Sequence, residues 1–493
     1  MGKIKKILIS NRGEIAVRII RSARELGIQT VAVFSDPDRE SLHVKMADEA
    51  YALGGTTSAE SYLDTDKILK ACETLGVDAI HPGYGFLSEN AAFAEKVRAA
   101  GIIFIGPSAK AIEIMGSKLA AKETVKEFGV PLVPGMDEPI TDVEAARKIA
   151  TDIGFPVLIK ASAGGGGKGM RIVNHSDEFV EQMERAVSEA KSAFGDGAVF
   201  IEKFVTEPKH IEVQILGDEH GNIIHLFERE CSIQRRHQKV VEEAPSAVLS
   251  HEKRMAIGES AVNVARSCGY FGAGTVEFIY DSTGNFYFLE MNTRLQVEHP
   301  VTEMITGVDL VKEQINIAEG NELSFKQEDL SINGHSLELR VYAENPKDNF
   351  LPDIGVLQTY ERPQGPGVRL DDGFEEGMEV SMHYDPMIAK LIVHGKDREE
   401  AIERMNRAIR EYRISGIETT LAFGKFAINH PVFKDGSFTT KFVEQYFRPE
   451  LLEDLREDEK EIAALMAAWS RRQSKPQVIE LSGEKSNWRN RLN

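Results

Sequence analysis

The first hundred residues alternate between short apolar runs and stretches with helical periodicity. Lys6–Ser10 and Thr30–Phe34 have the composition of strands, and Glu14–Leu26 between them repeats apolar residues at helical spacing. The alternation continues through the predicted helices Thr65–Leu75 and Ala91–Ala100 and the predicted strands Val77–Ile80 and Ile102–Ile105. Strands that are separated by helices in this order predict a parallel sheet.

Beyond residue 107 the pattern changes to strand pairs joined by turn signals. Ile211–Leu216 and Ile223–Glu228, for example, flank Gly221-Asn222. Longer helical patterns lie near Asp177–Phe194 and His251–Cys268, and a third region of mixed pattern covers about 325–448. Because a domain usually takes ~100–200 residues, a chain of 493 residues is expected to hold about three.

The segment 449–493 is highly charged but contains one apolar stripe. Its members follow the spacing i, i+3, i+4, i+7 and are Ile462, Leu465, Met466 and Trp469. The spacing predicts an amphipathic helix. We favour packing of this helix on its own domain, and docking on a partner subunit is the alternative.

Composition narrows the classes of function. A net charge of −19 discourages nucleic-acid binding. No stretch approaches the ~20 apolar residues of a membrane span, and the N-terminus has no secretory signal. Three scattered cysteines (Cys72, Cys231 and Cys268) suit a reducing compartment and lack the spacing of a zinc site. We therefore expect a cytoplasmic, multidomain protein that binds neither nucleic acid nor membranes.

A glycine-rich segment, Gly164–Gly169, matches the dinucleotide pattern G-x-G-x-x-G. That fingerprint must lead from a strand into a helix, whereas strands are predicted on both sides here. A glycine hairpin can instead fold its N–H groups over phosphates. Lys160, which closes the preceding strand, could then meet phosphate oxygens. A flexible loop beside a solvated lysine is the alternative.

Two acidic residues, Glu277 and Glu290, lie on strand-like runs that a turn cluster joins. A turn of two or four residues centred on Thr283-Gly284 places them directly opposite each other. Like charges in that position are destabilising unless a cation joins them. Asn292 points to the same face, and two carboxylates with an amide favour Mg²⁺ or Mn²⁺. A solvated hairpin face is the alternative.

Further polar residues follow this hairpin. Strand alternation would put Arg294, Gln296 and Glu298 on the face of Asn292, where they could hold and deprotonate a small oxyanion. A second basic run, Gln234–Lys239, lacks the interleaved aromatic residues of a nucleic-acid site. A surface charge run is its alternative interpretation.

Taken together, these segments closely resemble biotin carboxylase, a member of the ATP-grasp superfamily, over about residues 3–447. The resemblance is carried by long runs in the same order, namely Ser10–Ala16, His81–Asn90, the glycine hairpin, Arg235–Pro245 and Glu290–Pro300. It implies a multidomain α/β fold. The expected parts are an N-terminal doubly wound, Rossmann-like domain at 1–116, an ATP-grasp domain at 117–330 with a mobile lid at about 135–203, a C-terminal mixed α/β domain at 331–448, and the charged tail at 449–493.

The resemblance also assigns a role to each matching position. The ATP-binding residues would be Lys118, Lys160, Gly166, Gly167, Glu202, Lys203, Val205, His210, Gln234, His237, Glu277 and Glu290. Glu277, Glu290 and Asn292 would hold two Mg²⁺ or Mn²⁺ ions. Bicarbonate would be held by Lys239, Arg294, Gln296 and the backbone of Val297, with Glu298 as its base, and Arg340 would steady the ureido oxygen of biotin. Val205, where other members often have leucine, is a mild departure that affects only the shape of the adenine pocket.

The implied reaction phosphorylates bicarbonate with ATP to carboxyphosphate, releases CO₂ in a closed site and carboxylates biotin. The sequence has no biotinylation motif, and its closest string, Pro386–Lys390, lacks the Met-Lys pair. We therefore expect biotin to arrive on a separate biotin carboxyl carrier protein and the carboxyl group to pass to a separate carboxyltransferase subunit. Such an assembly would be an acyl-CoA or pyruvate carboxylase, and the resemblance further implies a homodimer.

Two other functions share some of these features. The large subunit of carbamoyl-phosphate synthetase also acts on bicarbonate, but it contains an internal duplication that this sequence lacks. A non-catalytic nucleotide-binding scaffold would not need Glu298, Arg294 or both metal carboxylates.

Overall fold

The computed structural model describes residues 3–136, 140–161, 170–194, 197–236, 238–452, 462 and 464–469. Residues up to Pro449 form one compact unit, and the chain from Glu450 onward forms a second. The second unit contains the predicted tail helix at residues 464–469. The side chains of the apolar stripe are exposed in it, at 55% for Ile462, 71% for Leu465, 63% for Met466 and 62% for Trp469.

The N-terminal region folds as a five-stranded parallel sheet with the strand order β3-β2-β1-β4-β5. Its elements are β1 (Lys6–Ile9), α1 (Gly13–Glu25), β2 (Gln29–Phe34), α2 (Leu42–Met46), β3 (Glu49–Ala52), α3 (Thr65–Leu75), β4 (Ala79–His81), α4 (Ala91–Ala99), β5 (Ile103–Phe104) and α5 (Ala109–Gly116). Ile7 and Ile9 of β1 pack with α1, whereas Leu8 packs with α3 and α4. Helices therefore cover both faces, and the predicted doubly wound sheet is confirmed.

A small antiparallel sheet follows, with the strand order β7-β6-β8. This part of the chain contains α6 (Lys118–Lys126), α7 (Val143–Ile153), β6 (Val157–Ala161), β7 (Met170–Val173), α8 (Phe179–Phe194) and β8 (Val199–Lys203). Ile159 and Ile201 pack with α7 and α8 in a core of their own. β6 and β7 pair on the two sides of the glycine-rich segment, so the two strands predicted there are confirmed.

The next elements build most of a larger antiparallel sheet. They are β9 (Lys209–Gly217), β10 (Ile223–Arg235), β11 (Gln238–Ala244), α9 (His251–Ser267), β12 (Gly272–Tyr280), β13 (Phe286–Asn292), α10 (His299–Thr306) and α11 (Leu310–Ala318). The remaining elements are β14 (His335–Tyr342), β15 (Glu344–Asn345), β16 (Leu351–Pro352), β17 (Gly355–Val356), β18 (Thr359–Glu361), β19 (Val368–Asp372), β20 (Glu379–Val380), β21 (Met387–Gly395), α12 (Arg398–Glu411), β22 (Arg413–Ser415), α13 (Leu421–Asn429), α14 (Pro431–Lys434) and α15 (Phe442–Tyr446).

The larger sheet has eight strands in the order β13-β12-β9-β10-β11-β14-β21-β19, all antiparallel. It therefore contains strands from both sides of residue 330, where a domain boundary is predicted. The pairing of β11 with β14 joins the two parts. Among the described residues, no helix is both long and apolar enough to cross a membrane.

Helix α9 packs on the large sheet at a point where only glycine fits. A Cβ on Gly258 would lie 2.6 Å from the Cε1 and Nε2 atoms of the buried His225 ring. We expect Gly258→Ala to lower the free energy of unfolding by ~1–3 kcal/mol through overpacking, measured by urea denaturation. Gly116→Ala is the matched helical control, since nothing lies within 4 Å of its added Cβ. Equal effects of the two substitutions would contradict the steric explanation.

Candidate active site

Glu277 of β12 and Glu290 of β13 face each other across the hairpin, as predicted. The turn differs from the prediction, because it spans Asp281–Asn285 and pairs Tyr280 with Phe286. That register alone would place Glu277 opposite Leu289. A β-bulge between the pairs of Glu277 and Phe278 shifts the register by one residue and restores the facing carboxylates.

The two facing carboxyl groups have different environments. Glu277 is buried and forms ion pairs with Lys239 at 2.9 Å and His210 at 3.1 Å. Burial alone would raise the pKa of Glu277, but these two cations hold it well below its usual range. The pKa of Glu290 is raised by burial and by the charge of Glu277. A cation between the two carboxylates would relieve that repulsion.

Asn292 lies beside this pair and completes the predicted ligand set. Its Nδ2 donates to Glu277 at 2.9 Å, and its Oδ1 accepts from Arg294 at 3.1 Å. Two carboxylates and an amide are the oxygen donors that Mg²⁺ or Mn²⁺ prefers, once the amide turns its oxygen towards the ion. The residues present therefore fit a divalent cation. Ligand atoms of His210, Glu212 and Glu277 also lie within 4.8 Å of one another, but Lys239 already bridges those two carboxylates.

Lys239 is surrounded by carboxylates. Its ammonium contacts Glu212, Glu277 at 2.9 Å and Glu298 at 2.7 Å. Burial would lower the pKa of Lys239, but these three charges raise it well above its usual value. The pKa of His210 is shifted in the same direction. Burial would lower it, but the charge of Glu277 raises it to about 9. Both side chains are therefore cationic at neutral pH.

Glu298 connects Lys239 to Arg340. Its second carboxylate oxygen accepts from Arg340 at 2.8 Å, and the same guanidinium donates to Glu242 at 2.6 Å. Burial and the nearby Glu212 would raise the pKa of Glu298, but Lys239 and Arg340 lower it below the usual value. Glu298 is therefore ionised at neutral pH, as a general base must be.

The strand alternation predicted for Arg294, Gln296 and Glu298 is wrong, because β13 ends at Asn292 and an irregular segment leads to α10. Contacts with residues elsewhere in the fold position these side chains instead. Gln296 donates to Glu277 at 2.9 Å. Arg294 binds Glu89 at 2.8 Å.

A fully buried arginine, Arg229 of β10, organises this irregular segment. It donates to Glu212, to Gln296 at 2.7 Å, and to Gln214, Thr275 and Thr302. Sequence reasoning missed Arg229 and Glu212. A signal existed, because Glu228-Arg229-Glu230 interrupts an apolar strand, and charged residues inside such a run are buried only when they are paired.

The predicted nucleotide-binding residues are partly brought together. Lys160 of β6 forms an ion pair with Glu202 of β8, which also meets Lys122 at 3.2 Å. Lys118 lies at the start of α6. Its positive charge lowers the pKa of Glu290 and so acts against the effect of burial. The Lys203 ammonium donates hydrogen bonds to two backbone carbonyl groups, those of Gly154 at 2.8 Å and Phe155 at 3.0 Å.

Two further predicted residues lie close to the ends of strands. Gln234 donates to the carbonyl of Cys231 at 2.9 Å, and Val205 is half-buried just after β8. Gly166, Gly167 and His237 lie outside the described residues.

Lys390 of β21 is a third buried residue to which sequence reasoning assigned no role. Its ammonium donates to the carbonyl of Val297 at 3.0 Å and pairs with Glu14 at 3.1 Å. Glu14 also accepts from the Tyr84 hydroxyl. Burial raises the pKa of Glu14 to about 7, while Lys390 opposes the shift. Lys390 is 0% exposed, so it supports the Val297 segment and is not available for biotin attachment.

We expect Lys390→Met to lower the free energy of unfolding by ~1–3 kcal/mol near neutral pH, because the buried Glu14 carboxyl group loses its cation and takes up a proton instead. Glu14→Gln combined with Lys390→Met should recover part of this loss. Chemical denaturation of both single variants and the double variant measures the coupling. Additive losses would show that the two side chains do not interact.

Three protein families match successive parts of the chain. They are described as the N-terminal domain of biotin carboxylase (residues 3–112), the ATP-binding domain of the carbamoyl-phosphate synthase L chain (117–326) and the C-terminal domain of biotin carboxylase (338–445). The two flanking matches separate this chain from carbamoyl-phosphate synthetase, with which it shares the ATP-binding part.

Individual relatives agree with these matches. Biotin carboxylase 1 of Bacillus subtilis is 53% identical over 444 residues, which cover 90% of this chain and 99% of the relative. The 2-oxoglutarate carboxylase small subunit of Hydrogenobacter thermophilus is 51% identical over 442 residues, which cover 90% of this chain and 93% of the relative.

A solved structure shows the same fold. The biotin carboxylase domain dimer of Hydrogenobacter thermophilus 2-oxoglutarate carboxylase, in complex with MgADP, ADP and bicarbonate, superposes with a TM-score of 0.81 at 50% identity. The match covers 92% of this chain and 100% of that domain. The predicted fold class and enzyme class are confirmed. The chain belongs to the biotin carboxylase family, and its activity is that of a biotin carboxylase.

Proposed function

We propose that this chain carries out the first half-reaction of a multi-subunit carboxylase, in which ATP and bicarbonate carboxylate biotin on a separate carrier protein. One observation carries the proposal. Glu298 lies between Lys239 and Arg340 and is ionised. A base is thus held between a cation that suits bicarbonate and a guanidinium that suits the biotin ureido oxygen.

Bicarbonate would bind through Lys239, Arg294, Gln296 and the Val297 backbone N–H. Glu298 then takes the bicarbonate proton while the bicarbonate oxygen attacks the γ-phosphorus and ADP leaves. Lys118 and Lys160 would contact the phosphates. Divalent ions on Glu277, Glu290 and Asn292 supply neutralisation of phosphate charge when they are bound.

Carboxyphosphate would break down to CO₂ and phosphate within the closed site. The phosphate accepts the N1′ proton of biotin, and the resulting ureido enolate adds to CO₂ through N1′ to give carboxybiotin. Arg340 stabilises the enolate oxygen by a charge-assisted hydrogen bond. Exclusion of water protects both reactive intermediates.

The remaining proposals concern assembly. We infer a homodimer, since the biotin carboxylase domain of the Hydrogenobacter protein was solved as a dimer. A biotin carboxyl carrier protein and a carboxyltransferase subunit would complete a cytoplasmic acyl-CoA or pyruvate carboxylase. The transferase determines which molecule finally receives the carboxyl group.

The direct test measures ADP release by the purified chain with MgATP, bicarbonate and free biotin, omitting each in turn. We expect release that requires bicarbonate and increases with biotin. Release that needs bicarbonate but ignores biotin would retain carboxyphosphate formation and reject biotin as the acceptor. Release without bicarbonate would reject the whole proposal.

Glu298→Gln tests the base. Because the amide cannot accept the bicarbonate proton, we expect bicarbonate-dependent turnover to fall ~10²-fold or more. Nucleotide binding, measured by calorimetry, should stay nearly unchanged. Glu252→Gln, an exposed position at the start of α9, is the matched control. Normal turnover of Glu298→Gln would remove the base assignment.

A further inference from the structure

Four ionisable groups lie together on one buried face of the large sheet, two on strand β14 and one on each of its neighbours β11 and β21. Glu338 and Arg340 point the same way, because they are two residues apart on one strand. Glu242 of β11 lies directly opposite Glu338, and Lys390 of β21 lies directly opposite Arg340. Glu242, Glu338 and Lys390 are each 0% exposed, and Arg340 is 7% exposed.

Hydrogen bonding on this face is incomplete. Within the described part of the chain, neither carboxylate oxygen of Glu338 has a hydrogen-bond partner, and Oε2 of Glu242 has none. An unpartnered carboxylate in a dry interior is costly. Side chains directly opposite each other on antiparallel strands have Cβ atoms only ~4.5–5.5 Å apart. A small rotation would therefore bring the free oxygens of Glu338 and Glu242 together.

Burial favours the neutral form of Glu338, and the surrounding charges act in both directions. The groups that face it are Glu242 on β11, Lys390 on β21, Arg340 on its own strand and Glu298 before α10. Burial raises the pKa of Glu338 well above its usual value, and Glu242 adds to the shift while Lys390 opposes it. Burial also raises the pKa of Glu242, to about 7, although Arg340 opposes the shift. The direct contact with Arg340 makes Glu242 the group of the two that ionises more readily. Of two such carboxyl groups, one retains a proton.

We propose that Glu338 is a positioning residue that stays protonated and donates a hydrogen bond to Glu242. Glu242 then remains an anion that holds the Arg340 Nε at 2.6 Å, while the Nη2 of the same guanidinium meets Glu298 at 2.8 Å. The proton on Glu338 thereby directs Arg340 towards the reacting groups. This inference rests on the proposed contact of Arg340 with biotin.

Loss of that proton has a definite consequence. An ionised Glu338 would be a second anion beside Glu242, and both would draw Arg340 away from biotin. Because the proton is lost as the pH rises, the biotin KM should increase at alkaline pH. Cleavage of ATP without biotin needs no contact between Arg340 and biotin, and Lys239 still holds Glu298 in its ionised form. This activity should therefore change less than the biotin KM.

The test compares Glu338→Gln with Glu338→Leu. The amide of Glu338→Gln is a permanent donor, so its turnover should stay within ~2-fold near neutral pH and its biotin KM should not rise at alkaline pH. Glu338→Leu removes a hydrogen bond to a charged group, so its biotin KM should rise ~10-fold. Its biotin-independent ATP cleavage should change less than its biotin KM, because Lys239 still contacts Glu298. Infrared spectroscopy should show a protonated-carboxyl band in the unaltered chain that Glu338→Gln lacks.

Two controls separate the possible failures. Glu230→Gln changes another buried carboxyl group of the same sheet, which Ser232 and Ser246 already partner, and should leave the pH profile of the biotin KM unchanged. An unchanged biotin KM in Arg340→Gln would reject the proposed biotin contact itself. If Arg340→Gln raises the biotin KM but Glu338→Gln keeps the alkaline rise, only the role of Glu338 is rejected. If Glu338→Leu fails to fold, the pH dependence of the biotin KM and the infrared spectrum of Glu338→Gln still test whether Glu338 carries the proton.

Discussion

Compensation of buried charge is the constraint on which this site depends. Carboxylates removed from water are strongly destabilised unless cations are buried with them. Lys239 meets this requirement for three carboxylates at once, Glu212, Glu277 and Glu298. Arg229 anchors the first of these three from the other side. The same contacts that make burial tolerable also fix the ionised state of the side chains, which is the state that the proposed chemistry needs.

The large sheet supplies the geometry for this compensation. Its strands come from chain segments far apart in sequence, and the pairing of β11 with β14 brings Arg340 beside Glu242. Polar residues then occupy one face in consecutive register positions. A sheet that closes over such a face can exclude water, and each charge–charge interaction becomes stronger in the lower dielectric. The proposed proton on Glu338 belongs to the same charge balance.

Support of the Val297 segment comes from a different part of the molecule. Lys390 binds its carbonyl and is itself held by Glu14, from the first helix of the doubly wound sheet. These contacts link the N-terminal region to the Val297 segment. The N-terminal region therefore supports the segment that holds the proposed bicarbonate ligand Val297 and the proposed base Glu298.

The sequence alone determined the order of elements, the family and most candidate residues, because apolar periodicity and long contiguous motifs are local properties. It also determined that Glu277 faces Glu290, although two unforeseen features, a longer turn and a compensating bulge, produce that register. Only the tertiary structure decided how the segment after Asn292 runs and which cations meet which carboxylates. Sequence reasoning missed Arg229 and Lys390 because their partners are distant in the chain, and burial arises only when the strands assemble.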